Sequence, residues 1–163
     1  LSEESATGRY PVEAVRMMDR LARAAENANG IPRRGGPEAG AEMTTEAAVA
    51  EAAARLAERI GAAAILSCTQ SGSTTRLLAR SRPGVPLLAV TPEERTMRRL
   101  AVVWGAEPLR IDRAERAEDL EREAIRIAVE AGRLRPGDRA VLTAGIPLHE
   151  PGTTNLVKVA VVA

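Results

Sequence analysis

Residues 68–75, Cys68-Thr69-Gln70-Ser71-Gly72-Ser73-Thr74-Thr75, put five side-chain hydroxyls and one thiol within eight positions. An apolar run, Ala62-Ala63-Ala64-Ile65-Leu66-Ser67, leads in, and Arg76-Leu77-Leu78-Ala79-Arg80 leads out with helical spacing. That order predicts a buried strand, a loop and a helix N-terminus. Hydroxyls and backbone N–H groups gathered at the positive end of a helix dipole suit a phosphate or another small anion. The same residue types also turn a chain and cap a helix without any ligand. On this stretch alone both readings stand. It lacks the Gly-Lys-Ser/Thr ending of a nucleotide P-loop, which argues against an NTPase.

A second stretch, Thr143-Ala144-Gly145-Ile146-Pro147-Leu148-His149-Glu150-Pro151-Gly152-Thr153-Thr154-Asn155, carries two prolines, two glycines and the single histidine of the chain. A loop of this length between two strands is either functional or variable filler. Ligands of open α/β sheets bind beyond the carboxyl ends of the strands, where both stretches and Thr91-Pro92-Glu93 are expected to lie. Catalysis finds less support. No G-x-S-x-G elbow surrounds Ser71 or Ser73. Asp112, Asp119 and Asp138 fall in expected helix starts and turns, where capping explains them. Glu3-Glu4 and Glu93-Glu94 read as surface or helix-dipole residues. Cys68 near a helix N-terminus could ionise readily, but a small buried thiol more often fills space. His149 reads as a solvated loop residue rather than a base or ligand.

The elements that would position these loops alternate. Pro11 begins a helix carrying Val12, Val15, Met18 and Leu21, which fades near Asn27 to Gly30, after a polar, turn-like stretch over 1–10. Thr44 or Thr45 caps a helix through Arg59. Strands are expected at 62–67, 85–90, 107–111, 139–144 and 156–162, with a helix near 73–80. Capping boxes at Thr91/Glu94 and Asp112/Glu115 predict two further helices, ending near Trp104-Gly105 and Ala131. Helical crossovers imply a mostly parallel sheet, while the short connection before the last strand makes that strand antiparallel at an edge. The expected fold is a three-layer α/β sandwich on a five-stranded, mostly parallel sheet. The expected organisation is an N-terminal helical piece over 1–30, a Pro/Gly-rich linker over 31–42 and a compact α/β domain over 43–163.

Composition narrows the function further. Within 163 residues, 23 Lys and Arg nearly balance 22 Asp and Glu, so no strong field recruits nucleic acid or an acidic membrane. Tyr10 and Trp104 are the only aromatic residues, so the core must be aliphatic, and Lys158 is the only lysine. With Cys68 the sole cysteine and His149 the sole histidine, neither a disulfide within the chain nor a thiolate or multi-histidine metal site is expected. No signal-like segment opens the sequence and no apolar run would span a bilayer, so a cytoplasmic protein is the expectation.

Several stretches together resemble one family, pyruvate kinase, at its C-terminal end. Leu1-Ser2-Glu3-Glu4-Ser5-Ala6-Thr7-Gly8-Arg9-Tyr10-Pro11-Val12-Glu13-Ala14-Val15 is similar to the family's L-S-G-E-T/S-A-x-G-x-Y-P-x-E-A-V segment, which closes its catalytic (β/α)8 barrel. Thr69-x-Ser71-Gly72-Ser73-Thr74 resembles its T-x-S-G-x-S/T effector-phosphate loop. Ala89-Val90-Thr91-Pro92, Arg99-Leu100 with Trp104-Gly105, Gly137-Asp138, Thr143-Ala144-Gly145 and Gly152-Thr153-Thr154-Asn155 match as well. The resemblance implies a regulatory domain that binds a phosphorylated effector, a sugar phosphate or AMP, and supports a homo-oligomer, without nucleic-acid or membrane partners. It implies that Thr69, Ser71, Gly72, Ser73 and Thr74 hold the phosphate, and that Gly145, Pro147, His149, Gly152 and Thr153 belong to a loop closing over it. It implies no catalytic residue and no cofactor in this chain, with Mg and K expected only in the full enzyme. Two positions depart from the pattern. Glu3 stands where the family has glycine, and Leu120-Glu121 stand near where fructose-bisphosphate-responsive members carry a basic residue, with Arg113 and Arg116 as substitutes. A free-standing phosphometabolite-binding or hydrolytic α/β domain, using Cys68 or His149, is the alternative.

Overall fold

The computed structural model describes residues 3–29, 43–148, 150 and 152–163. The chain divides into two compact units, Leu1–Arg33 and Arg34–Ala163. The expected linker at 31–42 lies outside the described residues.

The first unit is helical. A short helix α1 (Glu3–Ala6) precedes α2 (Pro11–Asn29). The expectation of a turn-like stretch over 1–10 is corrected by α1, whose turn closes through Thr7 N and Gly8 N donating to Glu3 O, each at 2.9 Å. Pro11 opens α2 as expected, since its missing N–H costs nothing in a first turn. The apolar residues at helical spacing, Val12, Val15, Met18 and Leu21, are exposed.

The second unit runs α3 (Thr45–Arg59), β1 (Ala64–Cys68), α4 (Ser73–Arg80), β2 (Leu87–Thr91), α5 (Glu94–Leu100), β3 (Ala106–Arg110), α6 (Ala117–Glu130), β4 (Arg139–Gly145) and β5 (Thr154–Val161). The sheet order is β3-β2-β1-β4-β5. Pairs β1–β2, β1–β4 and β2–β3 are parallel, and β4–β5 is antiparallel. Helices cover both faces, so the sandwich, the five strands and the antiparallel edge strand are as expected. Pro108 sits in β3, an edge strand, where its missing N–H leaves no gap in a ladder on the open side.

The central strands β1 and β2 are buried along their whole length, which is why they read as unbroken apolar runs. Alternation still sorts their side chains. Ala64, Leu66, Cys68, Leu88, Val90, Leu142 and Ala144 pack with Ala124 and Ala128 of α6. On the opposite face, Ile65, Leu87 and Val141 meet Leu78 of α4 and the stripe Ala50, Ala53, Ala54 and Ala57 of α3. Small side chains let α3 lie close on the sheet, which is how an alanine-rich chain without phenylalanine fills its core.

Neither of the two expected capping boxes forms. Helix α5 begins at Glu94 with Glu93 at its cap and no side-chain cap bond, because Thr91 remains in β2 and its Oγ1 instead accepts from Glu93 N at 3.2 Å. Helix α6 begins at Ala117, not at Asp112, with Arg116 at the cap position. Ile111 continues the β3 ladder through its N–H to Thr91 O (3.2 Å), which keeps the following residues out of the helix. Thr44 does cap α3, its side chain accepting from Ala47 N at 3.3 Å. No helix of the described residues is long and apolar enough to cross a membrane.

Candidate functional site

The parallel strands β1 and β2 and the start of the β4–β5 hairpin deliver three loops to one end of the sheet. After β1, Thr69 N donates to Val90 O at 2.9 Å and extends the ladder one residue past the strand. The chain then turns sharply at Gly72, which adopts φ +83° and stands at the N-cap of α4. An added Cβ there would also come within 3.0 Å of Leu100 Cδ2, so both the conformation and the close approach require glycine. Thr69 Oγ1 accepts from Gly72 N (2.9 Å), and Ser71 Oγ accepts weakly from Ser73 N (3.4 Å) while donating to Ser73 Oγ (3.1 Å). No side chain at the N-cap bonds to α4, and no acidic residue stands in its first turn. The initial N–H groups of a helix lack intrahelical partners, and here the loop itself partly satisfies them through Thr69 and Ser71, so the positive end of α4 faces the loop.

The other wall comes from the hairpin loop between β4 and β5. Asn155 ties its base, accepting from Ile146 N (3.0 Å) and donating to Ile146 O (2.7 Å). Thr153 Oγ1 donates to Glu150 O at 2.7 Å. An added Cβ on Gly145 would fall 2.4 Å from Thr153 Oγ1, so glycine there lets the loop fold back against its own strand. A short hydrogen bond between the buried hydroxyls of Thr74 and Thr154 joins the start of α4 to the start of β5. Thr96 Oγ1 of α5 donates to Gln70 O at 2.6 Å and holds the first loop from the other side.

A cavity opens between these walls. Thr69, Ser71, Ser73 and Thr74 line one side, and Gly145, Leu148, Glu150, Gly152 and Thr153 line the other. Its floor is apolar, with Cys68, Val90, Ile111, Ala114, Leu120 and Ala144. Of the five residues expected to hold a phosphate, four therefore face the cavity. Gly72 does not, but makes the turn that presents them. Thr74 offers less than expected, since its hydroxyl is engaged by Thr154. Of the expected loop residues, Gly145, Gly152 and Thr153 line the cavity, Pro147 does not, and His149 lies outside the described residues. Arg113 and Arg116 are not among the described lining residues, and they stand near Glu115 (3.8 Å) and Glu118 (3.7 Å).

Ile111 and Ala114 were not singled out as site residues from the sequence, whereas Leu120 stood near the position of the family's basic residue and Glu150 lay within the expected loop. Ile111 and Ala114 look like any small or apolar core position in sequence, and only the fold shows that they line a cavity.

Cys68 is buried at the cavity floor, and loss of hydration, with a smaller contribution from the Glu121 carboxylate, pushes its thiol up to about 12 from the ordinary value of 9.0. The easily ionised thiol that a helix N-terminus could have produced is thus overruled by burial. Asp138 acts in a turn as expected, its carboxylate accepting from Arg135 N at 2.8 Å. Among the described residues no group of three or more His, Cys, Asp and Glu side chains converges to hold a metal ion.

A family model described as the pyruvate kinase alpha/beta domain matches residues 47–160. The chain belongs to the pyruvate kinase family. It is 39% identical over 163 residues to the pyruvate kinase of Clostridium acetobutylicum, covering 99% of this chain and 34% of that protein. It is 38% identical over 160 residues to the pyruvate kinase of Staphylococcus epidermidis, covering 98% of this chain and 27% of the relative. With the pyruvate kinase of Methylorubrum extorquens the identity is 37% over 167 residues, covering 99% and 34%. The chain thus spans about a third or less of the length of these curated relatives. The five-stranded sheet with its single antiparallel strand is the alpha/beta domain of that family.

Proposed function

We propose that this chain is the regulatory alpha/beta domain of a pyruvate kinase and binds a phosphorylated small-molecule effector in the cavity between the 68–75 loop and the 145–154 loop. The observation that carries this reading is the convergence of two loops, far apart in sequence, on one cavity. The N-terminus of α4 and the hydroxyls of Thr69, Ser71 and Ser73 stand on one side of it. Such a surface favours an anion through oriented dipoles and hydrogen bonds rather than through a full countercharge. The phosphate would sit against α4, and the hairpin loop would close on the rest of the molecule. In a full-length enzyme, which transfers a phosphoryl group between phosphoenolpyruvate and ADP, closure would bias subunit packing through a coupling free energy of about 1–3 kcal/mol.

On this reading the domain takes no part in the chemistry itself. Mg and K belong to the reaction of the full enzyme. Assembly into a homo-oligomer is supported by the sheet edge at β5, where Val159 and Val161 are exposed. Calorimetric titration with ribose 5-phosphate, AMP, glucose 6-phosphate and fructose 1,6-bisphosphate tests the proposal. Binding of at least one of them, weakened by Ser71→Ala, is expected. Silence from all four would reduce the loop to a helix cap.

A further inference from the structure

On helix α6, Ala117, Leu120, Ala124 and Ala128 follow the spacing of a helix face turned to the sheet, and Ala124 and Ala128 are fully buried. Glu121, four residues after Ala117, falls on that same face, and its side chain is only 23% exposed. Its partner comes from the edge strand. Lys158, the only lysine in the chain, stands opposite Leu142 in the β4–β5 ladder, so it lies on the face of the sheet that α6 covers. Its Nζ donates to Glu121 Oε2 at 2.6 Å. Beside this pair, helix and sheet leave a recess of about 130 Å³ walled by Leu120, Leu142, Ala144 and Leu156, with Glu118 a second carboxylate at its rim. One water needs roughly 10–15 Å³, so the recess has room for a small aliphatic side chain. An ion pair set against apolar walls adds little stability that two apolar residues would not supply, so packing alone does not account for an acid on this face.

We propose that this recess binds a free amino acid with an aliphatic side chain. The ligand's carboxylate would take the Lys158 ammonium, its ammonium would take Glu121 and Glu118, and its side chain would enter the recess. A zwitterion exchanges the Lys158–Glu121 bond for two new ones and leaves neither charge bare, whereas a ligand of one charge strands the opposite partner. The recess and the cavity between the 68–75 and 145–154 loops share only Leu120 and Ala144 among the described residues, and the inference does not depend on the effector reading.

The test is titration of the whole chain with L-leucine, followed by amide chemical shifts, against three analogues that each lack one feature. L-Asparagine has nearly the same shape with a polar side chain, 4-methylpentanoate lacks the ammonium, and 3-methylbutylamine lacks the carboxylate. Leucine should give saturable shifts at Glu121, Leu156 and Lys158, and should bind about tenfold or more tightly than any of the three, as expected for one charge-assisted bond. Glu121→Gln and Lys158→Met should each weaken leucine by a similar factor. The double variant leaves no charge unpaired, which keeps the fold where a single change does not, and it should no longer bind leucine. No saturable shift at these residues, equal binding of any analogue, or undiminished binding by the double variant would overturn the proposal. Each of those results leaves the phosphate site standing, since shifts at residues 71–74 on addition of ribose 5-phosphate report on that site separately.

Discussion

Cys68 offers a quantitative probe of the cavity floor, because its position next to an anion-favouring loop and its burial make opposite demands on the thiol. A cysteine at an open helix N-terminus would react faster than a free thiol; one stripped of water should hardly react at all. With the thiol pushed up to about 12, against an ordinary 9.0, burial wins. At about pH 8 the thiolate fraction is then roughly a thousandfold below that of an unperturbed thiol, and thiol–disulfide exchange should slow by about that factor. Measuring the rate of reaction with 5,5′-dithiobis(2-nitrobenzoate), native against urea-unfolded protein, gives the ratio directly, since this is the only cysteine in the chain. The same shift acts on stability with a defined sign. Below about pH 9 both folded and unfolded thiols are protonated and nothing changes. Between about 9 and 12 the unfolded thiol ionises while the folded one does not, so the unfolded chain gains and stability falls. At about 1.4 kcal/mol per pH unit, the full loss is on the order of 4 kcal/mol. A native thiol that reacts within tenfold of the unfolded one would refute the reasoning. It would also revive a nucleophilic role for Cys68 in a hydrolytic domain.

Two further substitutions probe the frame around the site. Thr143 is fully buried in β4, and its hydroxyl has no hydrogen-bond partner among the described residues. Thr143→Val removes an unpaired polar atom at nearly constant volume and should raise the unfolding free energy by about 1 kcal/mol in urea titration; a decrease would mean that the hydroxyl is satisfied. Gly145→Ala drives a methyl group onto Thr153 Oγ1 and should cost about 1–3 kcal/mol in the same assay, with weaker effector binding as the loop is displaced. Unchanged affinity would dissociate the hairpin loop from the ligand.

The fold was readable where burial on both faces leaves no ambiguity. Ile65, Leu66 and Leu88 belong to unbroken apolar runs of the kind that only a covered parallel sheet uses, and the short link from β4 to β5 dictated an antiparallel partner. Strand ends shifted by one or two residues because loops such as Thr69 and Ile111 borrow ladder bonds from their neighbours. The capping boxes failed for a related reason: Thr91 and Asp112 have the right chemistry for helix starts, but the sheet claims the backbone around them first. At the site, the hydroxyl loop stood out because Ser, Thr and Gly cluster without a helical or strand period. Ile111 and Ala114 did not, since what distinguishes them is the cavity that the folded segments enclose. The engagement of Thr74 by Thr154 was equally invisible, as a contact over 80 positions that neither residue announces.

The claim that the hydroxyl loop holds a phosphate is tested most directly by amide chemical shifts in a uniformly labelled chain titrated with ribose 5-phosphate. The account predicts saturable shifts concentrated at the N–H groups of Ser71, Gly72, Ser73 and Thr74, with Thr153 following as the hairpin loop closes, and their loss in Ser71→Ala. Shifts absent from that loop, or confined to a different face of the domain, would contradict it.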